Sequence, residues 1–212
     1  MTWYAHEILL RATPAALAAI HANTQLAPFA YHLRSLDQEQ WYLPEHRHGL
    51  PEGGLLVIRP VCCAKDRCAQ WHGDTVLDTA LLPLMPEMAP LLQADIATPL
   101  ADQLSEASLP TQSLRSTLAA LALQLQEPVV YYACGMWGGD VDFEYCLTYE
   151  PQESLFARDV SERGHGTERA LDVALMKLGL KLPSAFFAPH TRSFDWPAHH
   201  LHAISHPSEE TL

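Results

Sequence analysis

The chain has no apolar run near the roughly 18–20 residues that cross a bilayer, so neither a membrane span nor a membrane partner is expected. Its first residues, Met-Thr-Trp-Tyr-Ala-His-Glu, lack the basic segment and apolar block of a secretory signal, and a cytoplasmic location is expected by default. Cysteine is scarce. The five residues at 62, 63, 68, 134 and 146 form no even framework of spaced pairs, and in a reducing compartment they read as free thiols. Positive charge is short as well. Thirteen Lys and Arg stand against 25 Asp and Glu, for a formal charge of −12, which excludes the basic footprint that nucleic acid or an anionic membrane needs. A basic protein, or a cation, suits this balance better. Protonating all 12 histidines would cancel the −12, so solubility and partner binding should weaken at about pH 5–6.5, where histidine titrates.

Several enzymatic signatures are missing. There is no Gly-x-Ser-x-Gly elbow and no Gly-rich phosphate loop ending in Lys-Ser/Thr, and His6-Glu7 is followed by Ile-Leu-Leu rather than completing His-Glu-x-x-His. Cys62, Cys63, Cys68 and His72 have zinc-ligand chemistry, but two of them are adjacent and no second Cys-x-x-Cys pair follows. Small buried thiols are the simpler reading. No cofactor is expected.

What remains is a globular composition, 48% hydrophobic and 18% charged over 212 residues, enough for one domain with a sizeable core. The chain is organised around 129–149. Val-Val-Tyr-Tyr-Ala-Cys and Val-Asp-Phe-Glu-Tyr-Cys-Leu-Thr-Tyr flank a Gly138-Gly139 pair, a hairpin signal because glycine accepts the positive φ of a tight turn. A two-residue turn would face Trp137 with Asp140, Cys134 with Phe143, Tyr132 with Tyr145 and Val130 with Leu147. One side of the hairpin would then be core, and Asp142 and Glu144 would share an acidic, half-exposed side.

The rest of the chain supplies partners for that hairpin. Residues 3–11 and 55–62 read as strands, with Pro60 at an edge or a strand end. Thr13-Pro14 is a helix start, with threonine as N-cap and proline in the first helical position; Asn23 is its stop, and Leu17 and Ile20 should face the core. Leu33 to Trp41 suits a short helix or turn. Leu114, Leu118, Leu121 and Leu125 recur at helical spacing from a Ser113 cap to Pro128. Charge and glycine mark 150–166 as a loop. Residues 167–178 form a helix with Leu171, Ala174, Leu175 and Leu178 as its apolar stripe and Gly179 in the left-handed closing position. A proline-rich helical sub-lobe is expected near 64–110, and a polar, histidine-rich tail near 197–212. The fold class is α+β, an antiparallel sheet centred on 129–149 with helices packed on it.

Asp140, Asp142 and Glu144 admit three readings: a solvated strand face, an acidic strip that docks a basic protein with Trp137 as aromatic anchor, or, with His190, oxygen and nitrogen ligands for a divalent cation that activates water. The string 131–145, together with Leu-Gly-Leu at 178–180 and the Phe-Phe-Ala-Pro-His-Thr-Arg-Ser-Phe-Asp-Trp close at 186–196, resembles small uncharacterised bacterial acidic α+β proteins, some of them immunity partners of secreted toxins. The resemblance implies an interaction protein; with the acidic balance and the hairpin pattern, the expectation is a non-enzymatic, immunity-type inhibitor that meets a basic protein, with Trp137, Asp140, Asp142 and Glu144 as the contact residues. The alternative expectation is a metal-dependent hydrolase.

Overall fold

The structure, a computed structural model, describes residues 3–24, 26–34, 50–62, 110, 112–137, 140–151, 156–159, 169–180 and 194–201. The expected sub-lobe at 64–110, apart from residue 110, lies outside them, as do His72, His190 and the tail beyond 201.

Six antiparallel strands make one sheet. They are β1 (Trp3–Arg11), β2 (Ala30–Leu33), β3 (Leu55–Cys62), β4 (Val129–Trp137), β5 (Asp140–Tyr149) and β6 (Phe156–Asp159), in the order β2-β3-β1-β4-β5-β6. Among the described residues three α-helices pack on it: α1 (Pro14–Ala22), α2 (Gln112–Leu125) and α3 (Ala170–Lys177). The arrangement is α+β with the 129–149 hairpin inside the sheet, as the sequence implies.

The sheet is covered on both faces. Ile8, Leu10, Leu56, Ile58, Val129, Tyr131, Ala133, Tyr145 and Leu147 form one core with α1 and α2, through Ala16, Ile20, Leu114, Leu118 and Leu121. Leu17 and Leu125 pack at its margin. Leu9, Leu55, Val57, Val130, Tyr132, Cys134 and Cys146 form the second core with α3, through Leu171, Ala174, Leu175 and Leu178. Two covered faces correct the expectation of a half-exposed hairpin. The run Val129 to Cys134 is apolar at every position, the pattern of a strand buried on both sides.

Local chemistry fixes the helix ends. Thr13 caps α1 by accepting the Ala16 N–H at 3.2 Å, and the Asn23 N–H closes the other end on the Ile20 carbonyl. Helix α2 begins at Gln112, so Ser113 lies inside it rather than capping it. It stops where Gln126 takes φ 56° and returns its side-chain amide to the Leu123 carbonyl, two residues before Pro128. Helix α3 begins at Ala170 rather than Thr167. At its end Gly179 (φ 81°) donates to the Met176 carbonyl and Leu180 to that of Leu175, and Leu175 and Leu180 share the core beneath. This is a Schellman closure with its apolar contact.

Two strands were not anticipated. Ala30–Leu33 is strand just ahead of the short helix or turn expected over Leu33 to Trp41, which beyond residue 34 lies outside the described residues, and Phe156–Asp159 is strand within the expected loop. Each is four residues long, too short to show a periodicity of its own.

The turn into β3 is held by Gly53 (φ 83°) and Gly54 (φ 95°). A Cβ at Gly53 would sit 2.6 Å from the Ala12 carbonyl oxygen, and one at Gly54 would strike the Leu33 carbonyl. Gly54→Ala is therefore expected to lower the urea unfolding free energy by about 2 kcal/mol or more, from left-handed strain plus a backbone clash. A variant within about 0.5 kcal/mol of wild type, the range of a featureless surface site, would show that the turn adapts.

Candidate functional site

The hairpin closes as expected at its tip, where Trp137 pairs with Asp140 and Met136 with Val141. The register then shifts: Gly135 faces Phe143, and Asp142 has no partner on β4. This bulge moves every later pair by one. Cys134 faces Glu144 rather than Phe143, Tyr132 faces Cys146 rather than Tyr145, and Val130 faces Thr148 rather than Leu147. Since strand side chains alternate, a one-residue shift exchanges the two sides. Tyr132 and Tyr145 consequently belong to opposite cores. Cys134 and Cys146 remain free thiols, not directly opposed.

The exchange decides the fate of Glu144. Expected on an exposed acidic side, it is buried, with only 1% of its surface exposed. Its Oε1 accepts the Tyr132 hydroxyl at 2.7 Å and Arg169 Nη2 at 2.8 Å, and Oε2 accepts Arg169 Nε at 3.4 Å. Burial pushes the Tyr132 hydroxyl well above its usual range, and its neighbours Cys134 and Glu144 push the same way. Tyr132 is thus a proton donor to the carboxylate at ordinary pH. For Arg169, burial works against the charge, but hydrogen bonding to Glu144 and its negative charge outweigh it and raise the guanidinium's pKa. Glu144 is engaged at both oxygens. Neither a metal ion nor a partner's lysine can take it without breaking this set, which removes it from the expected contact and ligand residues.

A second buried pair on the same side of the sheet was not anticipated. Glu7 faces Tyr132 across β1 and β4. Between Ile8–Ile58 and His6–Val61 it stands opposite two residues, Arg59 and Pro60. Pro60 is thus accommodated at a bulge, beyond the Ile58 limit of β2 pairing. The Arg59 side chain, 4% exposed, donates to Glu7 Oε1 at 2.9 Å. The Trp196 ring lies over the guanidinium, 3.7 Å from its centroid. The sequence carries a signal for this pair: each is a lone charge embedded in an apolar strand run, Glu7 before Ile-Leu-Leu and Arg59 after Leu-Leu-Val-Ile. Such a charge needs a partner.

The opposite side of the sheet holds a polar chain of its own. Tyr131 lies 2.7 Å from His6 Nδ1, and Tyr145 hydrogen-bonds Tyr131. Burial lowers the pKa of His6, more than the charge of Glu7 raises it, so the imidazole is neutral at pH 7. Burial also raises both tyrosines, so the chain is uncharged. It suits a core network that orders the sheet beneath α2.

Trp137, Asp140 and Asp142 remain together at the hairpin end by strand position, with Asp142 on the bulge. Among the described residues no group of three or more His, Cys, Asp and Glu could hold a metal ion. No helix among them is long and apolar enough to cross a membrane. No protein-family model, curated protein or solved structure matches the chain.

Proposed function

We propose that the chain is a non-enzymatic protein-binding module of immunity type, taking a basic protein, in that reading a toxin, at the hairpin end formed by Trp137, Asp140 and Asp142. The observation that carries this reading is how charge is divided. Glu7–Arg59 and Glu144–Arg169 are each neutral as pairs, so the whole formal charge of −12 is carried by the rest of the chain. The carboxylates of Glu7 and Glu144 at the centre of the sheet are occupied by arginine, and the reading places the partner at Asp140 and Asp142, which stand at the hairpin end by strand position. Complementary charge accelerates encounter, and a tryptophan supplies the anchor that charge alone does not.

The test is a native pull-down followed by association kinetics with the recovered partner. A basic protein should co-purify stoichiometrically. Reversing Asp140 and Asp142 to Lys should lower its association rate by about tenfold or more at low salt, with unfolding unchanged. An unaltered rate in the double variant would refute the site. Stoichiometric metal in the same eluate, with no partner, would favour the hydrolase alternative.

A further inference from the structure

We propose that residues 194–201 are a histidine-latched strap that closes over the outer edge of β2 at neutral pH and opens on mild acidification. A polar, loosely held tail was expected from residue 197 onward. Instead, Trp196–His199 forms a 3₁₀ turn, His200 bridges to Tyr31, and the Leu201 N–H donates to the Ala30 carbonyl at 2.9 Å. The segment thus covers part of a sheet edge that would otherwise offer its backbone groups to another chain.

Ring contacts hold the strap. Trp196 meets Tyr31 edge-on at 5.0 Å and covers Arg59. Phe194 stacks on His199, also at 5.0 Å and nearly parallel. His200 meets Tyr31 edge-on at 5.2 Å, and its Nε2 lies 3.1 Å from the Pro28 carbonyl. The ionisable groups around His199 come from three directions. Its own segment supplies Asp195 and β2 supplies His32, whose Nδ1 is approached by Arg34 Nε at 3.5 Å. From β3, Arg59 reaches Trp196 with its charge matched by Glu7 of β1.

Closure disfavours a proton on His199. Burial holds its pKa below the ordinary 6.5, and the charge of His32 adds to this, against Asp195 and a hydrogen bond to the His32 backbone. The closed strap therefore binds this proton more weakly than the open one. Closure is fully favoured above pH 6.5 and is lost as pH falls from there through the depressed value. Opening uncovers the Ala30 carbonyl and lifts Trp196 from Arg59.

Hydrogen exchange of the Leu201 amide in the full chain, normalised for the intrinsic pH dependence of exchange, reads the latch directly. Between about pH 7.5 and pH 5.5, which span histidine titration, its protection should fall several-fold, up to a ceiling of about tenfold set by pH 5.5 lying about one pH unit below the ordinary histidine value. The Tyr132 amide in β4 should stay protected, which separates strap opening from unfolding. His199→Phe keeps the stack on Phe194 without a titrating group and should hold the strap closed at both pH values. Trp196→Leu should loosen it at both. Equal Leu201 protection at the two pH values in wild type, or loss of Tyr132 protection in step with it, would overturn the proposal. So would an equal pH response in His199→Phe.

Discussion

Arg59→Met is expected to lower the unfolding free energy by about 3–5 kcal/mol, the cost of leaving a buried charge without its partner. Glu7 is fully buried, and Arg59 Nε is its bonded cation at 2.9 Å. With the arginine gone, the carboxylate has no route to water and must stay charged at high cost or take up a proton. Glu7→Leu with Arg59→Met removes both charges and fills the same space with apolar atoms. That double variant should recover most of the loss, because two well-packed apolar residues are often as stable as a buried ion pair or more so. Part of the loss should persist, since the stacking of Trp196 on Arg59, about 0.5–2 kcal/mol in such contacts, is absent from both variants. Urea unfolding of the two singles and the double gives the coupling energy. Single variants that lose less than about 1 kcal/mol, the range of exposed pairs, would show that water reaches this pair.

Glu144→Ala should be nearly as damaging, also about 3–5 kcal/mol. It takes an acceptor from the Tyr132 hydroxyl, which is fully buried, and removes the carboxylate that accepts from Arg169. The Arg169 side chain is 26% exposed and can turn partly toward solvent, which places the loss at the lower end. Glu144→Gln keeps the volume and an acceptor oxygen and should cost less. The ordering Ala worse than Gln worse than wild type belongs to a structural carboxylate. A surface docking residue would leave stability unchanged in both variants, and that outcome would return Glu144 to the candidate contact set.

The elements that were legible in the sequence are those whose signals are local. Thr13-Pro14 announces a helix start because a hydroxyl cap and a missing N–H both suit the first turn. The Leu171 to Leu178 stripe and Gly179 announce α3 and its closure, because periodicity and a positive φ each leave a mark on residue choice. The hairpin was legible too, with its Trp137–Asp140 pair. The bulge at Asp142 was not. Nothing about Val-Asp-Phe-Glu-Tyr distinguishes a strand that bulges from one that runs straight. Because α3 lies on one side of the sheet and α2 on the other, either register buries apolar residues on both sides. Hydrophobic pattern pins a register only when one face is wet. An alternation of acids therefore reads as an exposed side, whereas Glu144 is one half of a buried pair whose other half stands 25 residues along at Arg169. In the strap at 194–201 the aromatics Phe194 and Trp196 mark a return to the core, while the histidine-rich stretch from residue 197 looks polar and hides the contacts that His200 and Leu201 make with β2.

The claim on which the assignment of roles turns is the one-residue shift in the hairpin. Cross-strand backbone NOEs between β4 and β5 test it most directly. The bulged register predicts contacts pairing Tyr132 with Cys146 and Cys134 with Glu144. Contacts pairing Tyr132 with Tyr145 and Cys134 with Phe143 would contradict it, and would restore Asp142 and Glu144 to one acidic face.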